Sequence, residues 1–90
     1  MAGRLVFKVS ILNAKRLIYS GEATNLILVG DETEYELLAY HSPLIGVLKK
    51  GEVIMDNQFA IPIEKGIVKF FENECIIIAE EKIVEEVKVA

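Results

Sequence analysis

Ile67-Val68-Lys69-Phe70-Phe71-Glu72-Asn73-Glu74-Cys75-Ile76-Ile77-Ile78-Ala79 places two apolar runs on either side of a short polar break. Each run has the length of a strand rather than of a helix, and both are rich in Ile, Val and Phe. The pattern predicts a β-hairpin turning at Asn73-Glu74. Just upstream the same arrangement occurs: Val53-Ile54-Met55, a turn at Asp56-Asn57, then Phe59 to Ile63, with Lys65-Gly66 linking the two hairpins.

Further toward the N-terminus the strand signal continues. Leu5, Phe7, Val9 and Ile11 alternate with Val6, Lys8 and Ser10, the period of a half-buried strand. Asn13-Ala14-Lys15 reads as a turn, Leu17-Ile18-Tyr19 as a short strand, and Ser20-Gly21-Glu22 as the next break. Ala23 to Val29 is almost continuously apolar and reads as a central strand. After the acidic stretch Asp31 to Glu36, Tyr35 to Tyr40 and Leu44 to Leu48 are apolar pieces split by His41-Ser42-Pro43. Pro43 has no ladder donor and pushes Ser42 toward extended geometry, so a strand must break or become an edge there. Leu44, Ile45, Val47 and Leu48 fit one helical turn as well as a strand; the surrounding β pattern favours strand. At the far end, Ile83, Val84 and Val87 have helical spacing within Glu80 to Ala90, a segment short for an independent helix and read as a helical stub or a frayed tail. The expectation is one all-β domain over residues 1–90, a sandwich or flattened barrel of about eight to ten short strands.

Composition narrows the function. At 90 residues, 52% apolar and 27% charged, the chain can build one core. A net charge of −4 with no dense Lys/Arg cluster argues against nucleic acid as a partner. Apolar runs such as Leu26 to Val29 fall far short of the roughly 18–20 residues of a membrane helix. Met1-Ala2-Gly3-Arg4 has no apolar export region and Ala2 excludes N-myristoylation, so a cytoplasmic setting is expected. Cys75 is the single cysteine; it can form no internal disulfide and reads as an inert core residue.

The residues offer little for catalysis. His41 is the only imidazole, and no serine sits in a nucleophile motif, so the simpler reading is that its ring bonds loop backbone or lies at a subunit contact. Glu32, Glu34 and Glu36 alternate and would share one side of an extended segment, solvated or facing a basic partner. They lack the spacing and the glycine of a calcium loop, and no phosphate-binding glycine motif occurs, so no cofactor is expected. Gly21, Gly51 and Gly66 fall between apolar runs, which predicts turns with positive φ. Lys49-Lys50 would solubilise a sheet edge. Binding rather than chemistry is the expected role.

Taken in order, Phe7-Lys8-Val9, Tyr19-Ser20-Gly21-Glu22-Ala23, the strand ending at Val29, His41-Ser42-Pro43-Leu44, Leu48-Lys49-Lys50-Gly51, and Lys65-Gly66-Ile67 leading to Cys75–Ala79 resemble the N-terminal β-sandwich domain of the epsilon subunit of F-type ATP synthases. The resemblance covers about residues 5 to 81. It implies a sandwich of about ten strands at the foot of a rotary central stalk, non-catalytic, packed on the gamma subunit and resting on the ring of c subunits. Such a subunit would lie on the cytoplasmic face of an energy-coupling membrane and couple proton transport to ATP synthesis. By position, Asn13, His41, Ser42, Pro43 and Gly46 would face gamma, and the loop carrying Glu32, Glu34 and Glu36 would face the c ring. The family usually has glycines in that loop and a Pro-Gly just ahead of the His; here Thr33, Glu36, Ala39 and Tyr40 stand there, so the loop must be shaped differently. Many members continue into a C-terminal helical hairpin that restrains ATP hydrolysis. A chain complete at Ala90 would lack it; a cut chain would have lost it. A free-standing β-sandwich adaptor with another partner is the alternative, and a small enzyme using His41 a third reading.

Overall fold

The computed structural model describes residues 5–81. Among them are eight strands and no helix: β1 (Phe7–Leu12), β2 (Leu17–Ala23), β3 (Asn25–Val29), β4 (Glu34–Leu38), β5 (Leu44–Leu48), β6 (Gly51–Met55), β7 (Phe59–Phe71) and β8 (Glu74–Glu81). The segment with helical spacing at Ile83, Val84 and Val87 lies outside the described residues.

The strands form one folded sheet in the order β2-β1-β8-β7-β6-β3-β4, with β5 also paired to β7. Pairing is antiparallel except between β1 and β8, which run parallel from Lys8↔Glu74 to Leu12↔Ile78. The long β7 organises the fold. Its first half, from Phe59 to Ile63, pairs with β6, and its second half, from Gly66 to Phe70, pairs with β5 along the same edge. Its other edge carries β8, with a register shift between Ile63 and Lys65. A bulge of this kind bends a strand and raises its twist, which lets β7 serve two layers. One layer is β2-β1-β8-β7-β5 and the other is β7-β6-β3-β4. The layers are stitched where β5 ends against β3: Gly30 bridges Leu48, Asp31 N donates to Val47 O at 3.0 Å, and Lys49 N donates to Val29 O at 3.1 Å.

One apolar core fills the space between the layers. Phe7, Val9 and Ile11 of β1 are buried while Lys8 is exposed, as the alternation requires. They meet Leu26 and Leu28 of β3, Leu37 of β4, Val53 and Met55 of β6, Val68 and Phe70 of β7, and Cys75 and Ile77 of β8. Phe7 and Phe70 contact edge to face, ring centres 5.3 Å apart, and Tyr19 of β2 reaches Phe59 at the start of β7 at 5.7 Å. Burying each large side chain contributes about 1.5–3 kcal/mol before conformational entropy is charged. No charged or polar residue joins this core among the described residues.

The all-β sandwich expected from the sequence is present, with strand boundaries redrawn. β5 is a strand, and β3 lies between β4 and β6, one place in from the sheet's end. Leu17-Ile18-Tyr19 does not stop at Ser20-Gly21-Glu22, since β2 runs through Gly21 to Ala23. Phe59 to Phe71 is a single 13-residue strand, so Lys65-Gly66 is not a linker. Gly21, Gly51 and Gly66 all lie in strands, and no described glycine has positive φ. Their smallness serves close packing instead: a Cβ on Gly21 would stand 2.6 Å from the Tyr19 hydroxyl, and one on Gly66 would stand 2.5 Å from the Ile78 carbonyl. Left-handed backbone falls on Tyr40, Asp56, Asn57, Glu72 and Asn73, with φ of 64°, 54°, 55°, 50° and 62°. Asp56-Asn57 is the turn that the sequence predicts. The last hairpin turns one residue earlier than expected, at Glu72-Asn73, with Phe71 paired to Glu74.

Candidate partner-docking face

An antiparallel sandwich normally packs one side of each sheet on the core and leaves the other side polar. The outer side of β5-β7-β8-β1-β2 departs from this. Register aligns Val47 with Ile67, Ile67 with Ile78, Ile78 with Leu12, and Leu12 with Leu17. Directly paired residues project from the same side of a sheet. Val47, Ile67, Ile78 and Leu17 are 58%, 52%, 55% and 57% exposed, and Leu12 is half-buried. The neighbouring row adds Ile45, 74% exposed, and half-buried Ile76 around Lys69 and Ser10. With strands about 4.8 Å apart, a row over five strands spans about 19 Å. Scattered exposed apolar residues mean little, whereas a contiguous apolar band marks an interaction surface.

The corner between β4 and β5 borders this face. His41 N donates to Leu38 O at 3.1 Å, closing a turn whose third residue is Tyr40. The His41 ring meets Phe70 edge-on at 5.7 Å, and its Nδ1–H donates to Ser42 O at 2.7 Å. The ring is therefore half-buried and engaged with loop backbone, as the simpler sequence reading had it. Ser42 and Pro43 are exposed beside it. Asn73, which the sequence marks only as a turn residue, holds the corner from the neighbouring hairpin. Its Oδ1 accepts from Tyr40 N at 2.7 Å, its Nδ2 donates to Val6 O at 2.9 Å, and its carbonyl accepts from Lys8 N at 3.2 Å.

Asn13 lies at the other end of the layer. It follows Leu12 in the β1–β2 turn, where its Oδ1 accepts from Lys15 N and Arg16 N at 2.7 and 2.9 Å. Asn13 and His41 are thus separated by the apolar face rather than brought together. Gly46 is buried on the inner side of β5, between exposed Ile45 and Val47, with the Tyr35 ring over it. Glu32 is exposed in the turn closed by Gly30 N donating to Thr33 O at 2.7 Å. Glu34 and Glu36 project from one side of β4, the last strand of the sheet path, and Glu36 Oε2 accepts from Asn25 Nδ2 at 3.2 Å. The acidic row and the apolar face therefore sit on different layers.

The described residues hold no grouping suited to a metal ion, and no described helix is long and apolar enough to cross a membrane. Cys75 is buried, and burial pushes its thiol up to about 12, far from a nucleophile's range. The missed face had one legible signal: Cys75-Ile76-Ile77-Ile78-Ala79 is apolar at both parities, which a strand needs only when both of its sides are to be covered.

Comparison with known proteins gives a consistent picture. The sequence profile of the ATP synthase delta/epsilon chain β-sandwich domain matches residues 6–85. The ATP synthase epsilon chain of Sulfurimonas denitrificans is 34% identical over 77 residues, 81% of this chain and 59% of that protein. The epsilon chain of Chlorobium limicola is 29% identical over 79 residues, 83% of this chain and 90% of that protein. Measured against the first of these, the chain spans a little under two thirds of its relative's length. Among solved structures, a chain of the Euglena gracilis mitochondrial ATP synthase (OSCP, F1 and c ring) superposes with a TM-score of 0.74 at 16% identity, over 88% of this chain and 53% of that one. A chain from the central stalk and c ring of the Tetrahymena thermophila mitochondrial ATP synthase gives 0.68 at 13% identity, over 82% of this chain and 63% of that one. At these identities the two structures speak to fold alone.

Proposed function

This chain belongs to the ATP synthase delta/epsilon-chain β-sandwich family, and on that footing we propose that it is the sandwich unit of an epsilon chain in a rotary ATP synthase. In this reading it is a non-catalytic, peripheral part of the central stalk, on the cytoplasmic face of an energy-coupling membrane. It binds the gamma subunit, contacts the c ring, and helps couple proton transport to ATP synthesis.

The observation that carries the reading is the apolar row from Val47 to Leu17 on the outer side of one layer. A sandwich that exposes such a row gains from burying it, at about 25 cal/mol per Å² of apolar surface removed from water, less the cost of association. Gamma is the occupant this reading assigns to the face, with Asn13 beside the row where β1 ends, the His41-Ser42-Pro43 corner at the opposite end of the layer, and Gly46 lying beneath β5. Glu32, Glu34 and Glu36, on the other layer and its loop, are left for the c-ring side. Force transfer needs a stiff body with broad contacts and no activated nucleophile, which suits a deeply buried Cys75 and a His41 spent on backbone.

The test is affinity capture of the tagged full-length chain from native membranes, with identification of the accompanying subunits. Gamma and its synthase partners are expected. Capture of unrelated proteins with no synthase subunit would favour the free-standing adaptor instead. Deletion of the gene should uncouple proton flow from ATP synthesis, and unchanged coupling would sink the proposal.

A further inference from the structure

We propose that Asn73 is a positioning residue for partner binding: its amide holds Tyr40 in left-handed backbone geometry so that the Tyr40 ring is presented as a rigid anchor at the edge of the apolar face. The inference rests on the gamma-binding reading above and extends it to two residues that the reading does not use.

Four observations combine. Tyr40 has φ of 64°, a conformation that disfavours a side chain as large as tyrosine's, and no local sequence feature compensates. Its backbone N–H is taken by Asn73 Oδ1 at 2.7 Å, from a hairpin 33 positions away. The next residue is fixed as well, since His41 donates to Leu38 O and sets its ring against Phe70. Yet Tyr40 is 71% exposed and is not part of the described core, so burial does not reward this arrangement. Backbone held in a sparsely populated region by outside contacts, with a large aromatic left in water, is the form of a preorganised recognition residue. Tyrosine offers broad contact area with few rotors to freeze.

The corner is also continuous with the apolar face. Lys69 pairs with Ile45, and Phe71, two residues beyond on the same side of β7, is 49% exposed at the hairpin that supplies Asn73. The Lys69 ammonium stands 6.0 Å over the Phe71 ring, so a partner lying along the face meets a mixed cationic and aromatic step between the apolar rows and the corner that carries Tyr40. Asn73 is itself left-handed, with φ of 62°, so glycine can replace it and delete the side chain without new backbone strain.

The test measures binding of the full-length chain to its organism's gamma subunit by calorimetry, with thermal melting of each variant alongside. Asn73→Gly removes both side-chain bonds, while Asn73→Asp keeps an acceptor for Tyr40 N and loses only the donor to Val6 O. Tyr40→Gly keeps the left-handed corner and removes the ring. Asn73→Gly and Tyr40→Gly are each expected to weaken binding about tenfold, and Asn73→Asp to stay near wild type, with melting temperatures not following this order. Equal weakening by Asn73→Asp and Asn73→Gly, or wild-type affinity in Tyr40→Gly, overturns the inference. If the wild-type chain fails to bind gamma, the functional reading itself falls. Hydrogen exchange at the Tyr40 amide then decides the tether alone: faster exchange in Asn73→Gly supports it and unchanged exchange overturns it.

Discussion

The hydroxyl of Tyr35 lies 2.6 Å from where a Cβ on Gly46 would stand, and its Cζ lies 2.8 Å away. The ring on β4 thereby covers β5 at its one residue without a side chain. Gly46→Ala must displace that ring, and overpacking of this kind costs about 1–3 kcal/mol. Chemical denaturation should report the loss, and adding Tyr35→Leu should recover part of it. An alanine variant as stable as wild type would mean that the ring is not held there.

Asp56 closes the β6–β7 hairpin and also ties it to the β2–β3 junction. Its Oδ1 accepts from Thr24 N at 2.7 Å, Thr24 Oγ1 at 2.8 Å and Asn25 N at 3.1 Å. Asp56→Ala removes the acceptor and places alanine at φ of 54°, for an expected destabilisation of about 2–3 kcal/mol. Asp56→Asn keeps an oxygen and tolerates the backbone, so its loss should be smaller in the same denaturation assay.

Glu72 occupies the first position of a two-residue hairpin turn with φ of 50°, where asparagine or glycine is the favoured choice. Glu72→Asn should therefore stabilise the chain by about 0.5–1 kcal/mol. A thermal melt showing no gain, or a loss, would contradict this.

Cys75 gives the fold an alkaline limit. Burial raises its thiol from 9.0 to about 12, so between those values the unfolded chain has lost a proton that the native chain still holds. Stability from this residue is complete below the unfolded value and falls as pH rises, with a slope approaching about 1.4 kcal/mol per pH unit. Denaturation midpoints measured from pH 8 upward (about one unit below the unfolded value) should fall more steeply for wild type than for Cys75→Ala. Parallel profiles would remove the thiol as the cause.

On the apolar face, Ile67→Lys and Ile78→Lys should leave thermal stability within about 0.5 kcal/mol, because both side chains are more than half exposed. The same changes should abolish co-purification with gamma. Variants that still co-purify at wild-type yield would move the contact elsewhere.

The fold was readable wherever a local rule decided it. Phe7, Val9 and Ile11 alternate because β1 has one buried side, and Asp56-Asn57 turns because both residues tolerate left-handed backbone. Legibility failed where tertiary contact overrode local habit. Gly21 and Gly66 look like breaks, yet each is a place where a neighbour comes too close for a Cβ. Tyr40 and Glu72 adopt conformations better suited to glycine, and in Tyr40 the support comes from Asn73, far away in sequence. Of the candidate site, the His41 corner was legible from Pro43 and the turn chemistry. The apolar face was foreshadowed only by the two-sided apolar run Cys75 to Ala79, because the face itself exists only once register brings Val47, Ile67, Ile78, Leu12 and Leu17 into line.

β7 is one uninterrupted strand shared by both layers. Tension applied along it falls on its ladders to β5, β6 and β8 together, as shear across many hydrogen bonds at once, rather than opening them in succession as a zipper opens. A layer peeled from its neighbour must drag this shared strand with it. The domain can therefore behave mechanically as a single spar, stiff along β7 and weakest at the free edges of β2 and β4.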